Sequence, residues 1–145
     1  MGTGVLLNSC YILFAQPNQW IDAENHCQTL DGHLVKITSS DETEFVKSTF
    51  LTSHGLVYWI GLSDQATEGT WKWTDGSTLG GYTNWKSYQP GNNYGNQNCA
   101  AIVMTIGRFQ LGAPSHYTLN DHNAEWNDLE CHFSFGYICE QMKEP

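Results

Sequence analysis

Val57-Tyr58-Trp59-Ile60-Gly61-Leu62 is a nearly unbroken apolar run. A short run of this kind, rich in aromatic and β-branched residues, reads as a strand buried on both faces. It divides the chain. Upstream, Trp20, Ala23, Cys27 and Leu30 recur three and four residues apart, one face of a helix over about 19–30. Asn18 would cap that helix and Asp31-Gly32 would end it. His33-Leu34-Val35-Lys36-Ile37 follows as a short extended link. Ser39 and Glu42 have the spacing of a capping box for a second helix over about 40–51. Phe45, Val46, Thr49 and Phe50 would form its inner face, with Gly55 just past its end. Residues 5–14 are apolar and β-prone and predict a single strand. Downstream, Trp71-Lys72-Trp73 alternates and turns at Asp75-Gly76. Cys99–Met104, Glu125–Leu129 and Phe135–Cys139 predict further strands. Between them, 76–98 and 105–124 read as long loops, which in compact domains tend to carry function. No repeat or linker interrupts the pattern. The expectation is one α+β domain over residues 1–145, helices first.

Composition narrows the function. The chain has 145 residues, of which 40 % are hydrophobic, enough for one packed core. Charged residues are 14 %, against roughly 25 % in an average domain. The net charge is −9, from six Lys and Arg against fifteen Asp and Glu. Binding a phosphate backbone needs clustered cations, so nucleic acid is a poor partner, and so is an anionic membrane surface. No apolar run approaches the ~20 residues of a membrane span, so membrane insertion is not expected. Met1-Gly2-Thr3-Gly4 is not a secretory leader and reads as the start of a mature domain.

Five widely spaced cysteines, with no Cys-x-x-Cys, exclude a zinc ribbon or a thioredoxin motif and suggest an oxidising compartment. Their odd number leaves one thiol free or intermolecular, and spacing alone does not choose the pairing. Six scattered histidines show no His-x-x-x-His, which disfavours zinc. Asp121-His122 near Ser115 has no nucleophile elbow beside it, so an enzyme is not expected.

Four features in register resemble the C-type lectin-like domain. Trp59-Ile60-Gly61-Leu62 is similar to the family's core strand motif, and Trp126-Asn127-Asp128 before Cys131 to its second calcium-loop motif. Gln89-Pro90 sits ten residues before Cys99, where the family places its sugar-specifying tripeptide. Cys27, Cys99, Cys131 and Cys139 fall in the family's order, and the likeness covers about residues 8–141. It implies the C-type lectin-like fold: two helices, small antiparallel sheets and a long ordered loop region, stapled by disulfides. The implied pairs are Cys27–Cys139 and Cys99–Cys131. Cys10 matches a cysteine whose usual partner lies about eleven residues upstream. It is therefore expected to be free or to link a homodimer, which would raise avidity.

The resemblance also implies calcium, a hard ion taking six to eight oxygens. In sugar-binding members the ion leaves positions open for two adjacent sugar hydroxyls, and the proline is cis, turning its neighbours toward the ion. Gln89 is the galactose-type residue. Gly91 stands where Asp or Asn is usual, and Gln97 stands where an acid is usual. Asn127 and Asp128 are intact, with Glu125 just ahead of them; Asp121, in the long stretch 105–125, offers a replacement ligand. At the auxiliary calcium site Asp64 and Glu68 match, while Asn92 and Asn98 replace acids. Tyr94, then Tyr88 and Trp85, are candidates to stack on a sugar ring, with core packing the stronger reading for Trp85. The implied function is a secreted, calcium-dependent lectin with weak preference for terminal galactose-type glycans. The alternatives are a calcium-independent protein-binding module of the same fold and a mineral- or ice-surface binder.

Overall fold

The structure, a computed structural model, describes residues 2–6, 8–53, 55–91, 97–111 and 118–142. The chain opens with a hairpin, β1 (Gly2–Leu6) against β2 (Ser9–Asn18). The apolar stretch 5–14 is thus two strands, because the chain reverses between Leu6 and its pairing partner Ser9, with the turn-former Asn8 between them. Next come α1 (Trp20–Thr29), β3 (His33–Leu34) and α2 (Ser40–Phe50). The decisive run forms β4 (Leu56–Ser63), followed by β5 (Lys72–Trp73) and β6 (Cys99–Thr105). β7 (Phe109–Gln110), β8 (Thr118–Leu119), β9 (His122–Leu129) and β10 (Phe135–Met142) complete it. The stretch expected as a loop over 105–124 therefore holds two short strands and the start of β9.

One eight-stranded sheet runs in the order β1-β2-β10-β4-β6-β9, with β3 on β10 and β5 on β4. The β10–β4 pair is parallel. The architecture is thus one large mixed sheet plus the β7–β8 ribbon, rather than only small antiparallel sheets. β4 is buried on both faces as expected: Tyr58, Ile60 and Leu62 enter one hydrophobic cluster, and Val57 and Trp59 the other. Among the described residues no helix is long and apolar enough to cross a membrane.

Tertiary partners replace some local signals. Asn18 remains in β2, and its carbonyl accepts from Trp59 Nε1 at 3.0 Å. Gln19 is the α1 N-cap but makes no side-chain cap bond. The Trp20 N–H instead donates to Cys131 O at 3.1 Å. In α2, Ser39 Oγ accepts from Glu42 N at 3.1 Å, as the capping box requires. The Glu42 carboxylate turns to Thr38 N and Tyr11 OH, at 2.8 and 2.7 Å. These partners allow Glu42 to be buried, and Thr43 is buried beside Tyr82 OH at 2.6 Å. Thr49, expected inward, faces solvent.

Cys27 bonds to Cys139 and Cys99 to Cys131; Cys10 is a free, half-buried thiol. The first bridge spans 112 positions. Chain-entropy arithmetic gives about 4.7 kcal/mol for a loop near 100 residues.

Gly61 has no room for a side chain: a Cβ would lie 2.5 Å from Leu34 O. Its N–H donates to Val35 O and its carbonyl accepts from Thr74 N, each at 2.9 Å. Gly61→Ala should therefore destabilise the disulfide-intact protein by about 1–3 kcal/mol, the usual cost of overpacking. A urea midpoint indistinguishable from the parent's would show that β3 and β4 can separate without cost.

Candidate functional site

β9 is the outer strand of the sheet, and a strap of irregular chain covers its free edge. Lys86 N donates to Trp126 O at 2.9 Å and Trp126 N to Asn84 O at 2.7 Å. Asn84 Nδ2 adds a bond to Ala124 O at 2.9 Å. Ala124 sits at a register shift in β9 with φ of 59°, a bulge that turns its carbonyl toward the strap. The Trp85 ring locks the strap from inside, 4.9 Å from Trp71 and 5.6 Å from Trp126. Trp85 is thus a packing residue. The Asn84 and Ala124 anchors were not legible from residue type, because edge-strand pairing is nonlocal.

The strap delivers the loop. Gln89 N donates to Lys86 O at 2.9 Å, closing a turn. The Gln89–Pro90 peptide is cis. Gly91 N then donates to Gln89 Oε1 at 2.8 Å and to Asp128 Oδ1 at 3.0 Å. Two expected ligand oxygens converge on one backbone N–H. Gly91, which has no side chain where Asp or Asn is usual, enters this cluster through its backbone N–H.

Asp128 is fully buried at this point, and Gln97 is also a buried residue. The Asn127 amide is 7 % exposed and makes no hydrogen bond among the described residues. Among the described residues the buried side-chain polar atoms left without a partner are His122 Nε2 and Trp126 Nε1, so the Asn127 amide keeps contact with solvent. Glu125 is engaged elsewhere: its Oε1 lies 3.6 Å from Lys86 Nζ and accepts from Asn123 N at 3.2 Å. Asp121 accepts from Gly107 N at the opposite end of β9. It lies seven residues from Asp128, roughly 23 Å along a strand. Asn92 and Tyr94 lie outside the described residues. Tyr88, immediately before Gln89, is 97 % exposed with φ of 70°. A bulky residue in the left-handed region is uncommon.

A second cluster joins Asp64, Glu68 and Asn98. Asp64 N donates to Asn98 O at 3.0 Å, and Gly69 N to Asp64 Oδ2 at 2.9 Å. The Asn98 side-chain amide lies 3.1 Å from both Glu68 Oε1 and Asp64 Oδ1. With its nitrogen turned inward it donates to both acids; with its oxygen inward, three oxygens converge as a hard cation requires. Burial pushes the Asp64 carboxyl up to about 6, and neighbouring Glu68 adds to the rise.

Calcium fits these donor sets differently. The Asp64–Glu68–Asn98 cluster offers two carboxylates and an amide oxygen. The Gln89–Asp128 cluster is all oxygen but carries one carboxylate. Among the described residues no three His, Cys, Asp or Glu side chains group as a metal site, so amide oxygens would have to contribute at either place.

The profile of the Lectin C-type domain matches residues 16–141. A perlucin-like protein of Mytilus galloprovincialis is 37 % identical over 134 residues, covering 90 % of this chain and 75 % of that protein. An alpha-N-acetylgalactosamine-specific lectin of Patiria pectinifera is 36 % identical over 140 residues, covering 91 % and 73 %. The mouse scavenger receptor C-type lectin carbohydrate-recognition domain superposes with a TM-score of 0.79 at 29 % identity. That match covers 99 % of this chain and 96 % of the mouse chain.

Asp64 must lose its proton to accept a cation. Its folded pKa lies above the ordinary 3.8. In the cation-free protein, its contribution to stability is therefore present below the unfolded pKa and lost as pH rises through about 6. Calcium should raise the melting temperature little near about pH 5 and clearly near about pH 7.5, and Asp64→Asn should flatten that difference. An increment equal at both pH values in the parent would place the ion away from Asp64.

Proposed function

The chain belongs to the C-type lectin domain family, and from that premise we propose that it is a carbohydrate-binding lectin for terminal galactose-type sugars. The observation that carries the reading is the convergence of Gln89 Oε1 and the buried Asp128 Oδ1 on the Gly91 N–H. Gln89, Gln97, Asn127 and Asp128 would hold calcium at the loop, and Asp64, Glu68 and Asn98 would hold a second ion. When bound at the loop, calcium supplies open coordination positions for two vicinal hydroxyls. The chain's own groups do the rest. The Gln89 amide can donate to or accept from the same hydroxyls, and the Asp128 carboxylate accepts from them, so together they fix their orientation. Tyr88 offers an exposed ring to the apolar face of the sugar. The alpha-N-acetylgalactosamine specificity of the similar Patiria pectinifera lectin supports the galactose-type direction. The two disulfides support an extracellular setting.

One observation favours a second reading, a calcium-independent binding module. Gly91 N–H occupies one acceptor each on Gln89 and Asp128, so the chain itself supplies a partner to both oxygens.

Retention on immobilised galactose separates the two. The lectin reading expects retention in calcium, release by EDTA, and loss of retention in Gln89→Ala and Asp128→Asn with the calcium-free melting temperature nearly unchanged. Retention that persists in both variants would remove these residues from the site. Tyr88→Ala should leave stability unchanged and weaken galactose binding about 2- to 10-fold, the worth of one aromatic contact. Unaltered affinity would assign the ring no role.

A further inference from the structure

The geometry points to a second, calcium-independent saccharide subsite on the face formed by β2, α1 and β10. This inference rests on the reading of the chain as a carbohydrate binder but not on the loop or its ion. β1 pairs only with residues 9–13 of β2. Among the described residues, Phe14–Asn18 therefore have no strand on that side, and an open pocket of about 530 Å³ lies there. That volume is within the usual range for small-molecule sites.

Its lining has the chemistry of a neutral polyol site. Phe14 stacks on Tyr137 at 5.2 Å with planes 26° apart. The His26 ring lies 4.7 Å from Phe14 and meets Tyr137 edge-on at 5.8 Å. Tyr137 is 3 % exposed, and its hydroxyl is held by His26 Nδ1 at 2.5 Å and Asn18 Nδ2 at 3.4 Å. The rings are thus set before any ligand arrives, which lowers the ordering cost of binding. Two amides then remain available. Asn18 Oδ1 and the whole Gln16 side-chain amide have no hydrogen-bond partner among the described residues. An aromatic face attracts the polarised C–H bonds of a pyranose, and amides donate to and accept from its hydroxyls. No Asp, Glu, Lys or Arg lines the pocket, so neither an anion nor a cation is selected.

Three strand spacings, β10 to β4 to β6 to β9, separate this face from the loop cluster. At ~4.8 Å each that is about 14 Å, too far for one monosaccharide to touch both. A branched glycan could engage both and gain avidity.

The test is a nitrogen-15 NMR titration with methyl β-galactoside, methyl α-glucoside and methyl α-mannoside. It is run on Asp128→Asn protein in EDTA and on the parent in calcium. The expected result in EDTA is saturable, millimolar shifts at Phe14–Asn18, His26 and Tyr137. Gln16→Ala, an exposed change that spares folding, should weaken them about fivefold, and Phe14→Leu should abolish them. Shifts confined to 89–91 and 127–128 of the calcium-loaded parent would overturn the subsite and leave the lectin reading intact. Shifts at the subsite with none at the loop would support the subsite and overturn the loop assignment. No shift at either place would overturn both. An equal response to phenol, a ring without a hydroxyl array, would reduce the pocket to an apolar hollow and overturn its assignment to sugars.

Discussion

The peptide of Gly61 is the constraint on which the rest of the molecule depends. Its N–H reaches Val35 O, its carbonyl takes Thr74 N–H, and the neighbouring Ile60 carbonyl takes Trp20 Nε1. Three segments distant in sequence are thus bonded to three consecutive backbone groups. The absence of a Cβ allows Leu34 to approach closely enough for this. β4 is therefore the hub of the sheet. It pairs with β10, β5 and β6, and its side chains fill both hydrophobic clusters. The Cys27–Cys139 bridge then ties α1 to β10, which pairs directly with β4.

From this hub the order passes outward to the candidate site. β6 lies on β4, β9 on β6, and the strap of Asn84 to Lys86 on β9. Each layer satisfies the backbone groups of the one before. The last bond in the series, Gly91 N to Asp128 Oδ1, places the loop over a carboxylate that is fully buried. A buried carboxylate needs partners. Here a backbone donor supplies one, so the loop is held even though Gly91 has no side chain to contribute.

The amide-rich character of both clusters has one physical consequence. An amide can present either a donor or an acceptor, whereas an ionised carboxylate only accepts. Asn98 beside Asp64 and Glu68 shows this most clearly, since one rotation of its amide exchanges two hydrogen bonds for an oxygen facing two acids. Sites of this composition carry less formal charge to hold a cation, which weakens ion affinity.

Periodicity and spacing alone determined the two helices, the buried β4 run, the Ser39 cap and the α+β class. These are local properties, set by which side chains repeat on one face. The resemblance added the disulfide pairs and the neighbourhood of Gln89 and Asp128. Only the tertiary structure decided the hairpin within 5–14, the burial of Glu42 and Thr43 in place of Thr49, and the strands inside 105–124. It alone turned Glu125 to Lys86 and gave Gly91 its role as a donor. These features share one cause. Each depends on a hydrogen bond or ion pair whose partner is chosen by packing: a buried polar group must find a partner, and which partner it finds is decided by the fold.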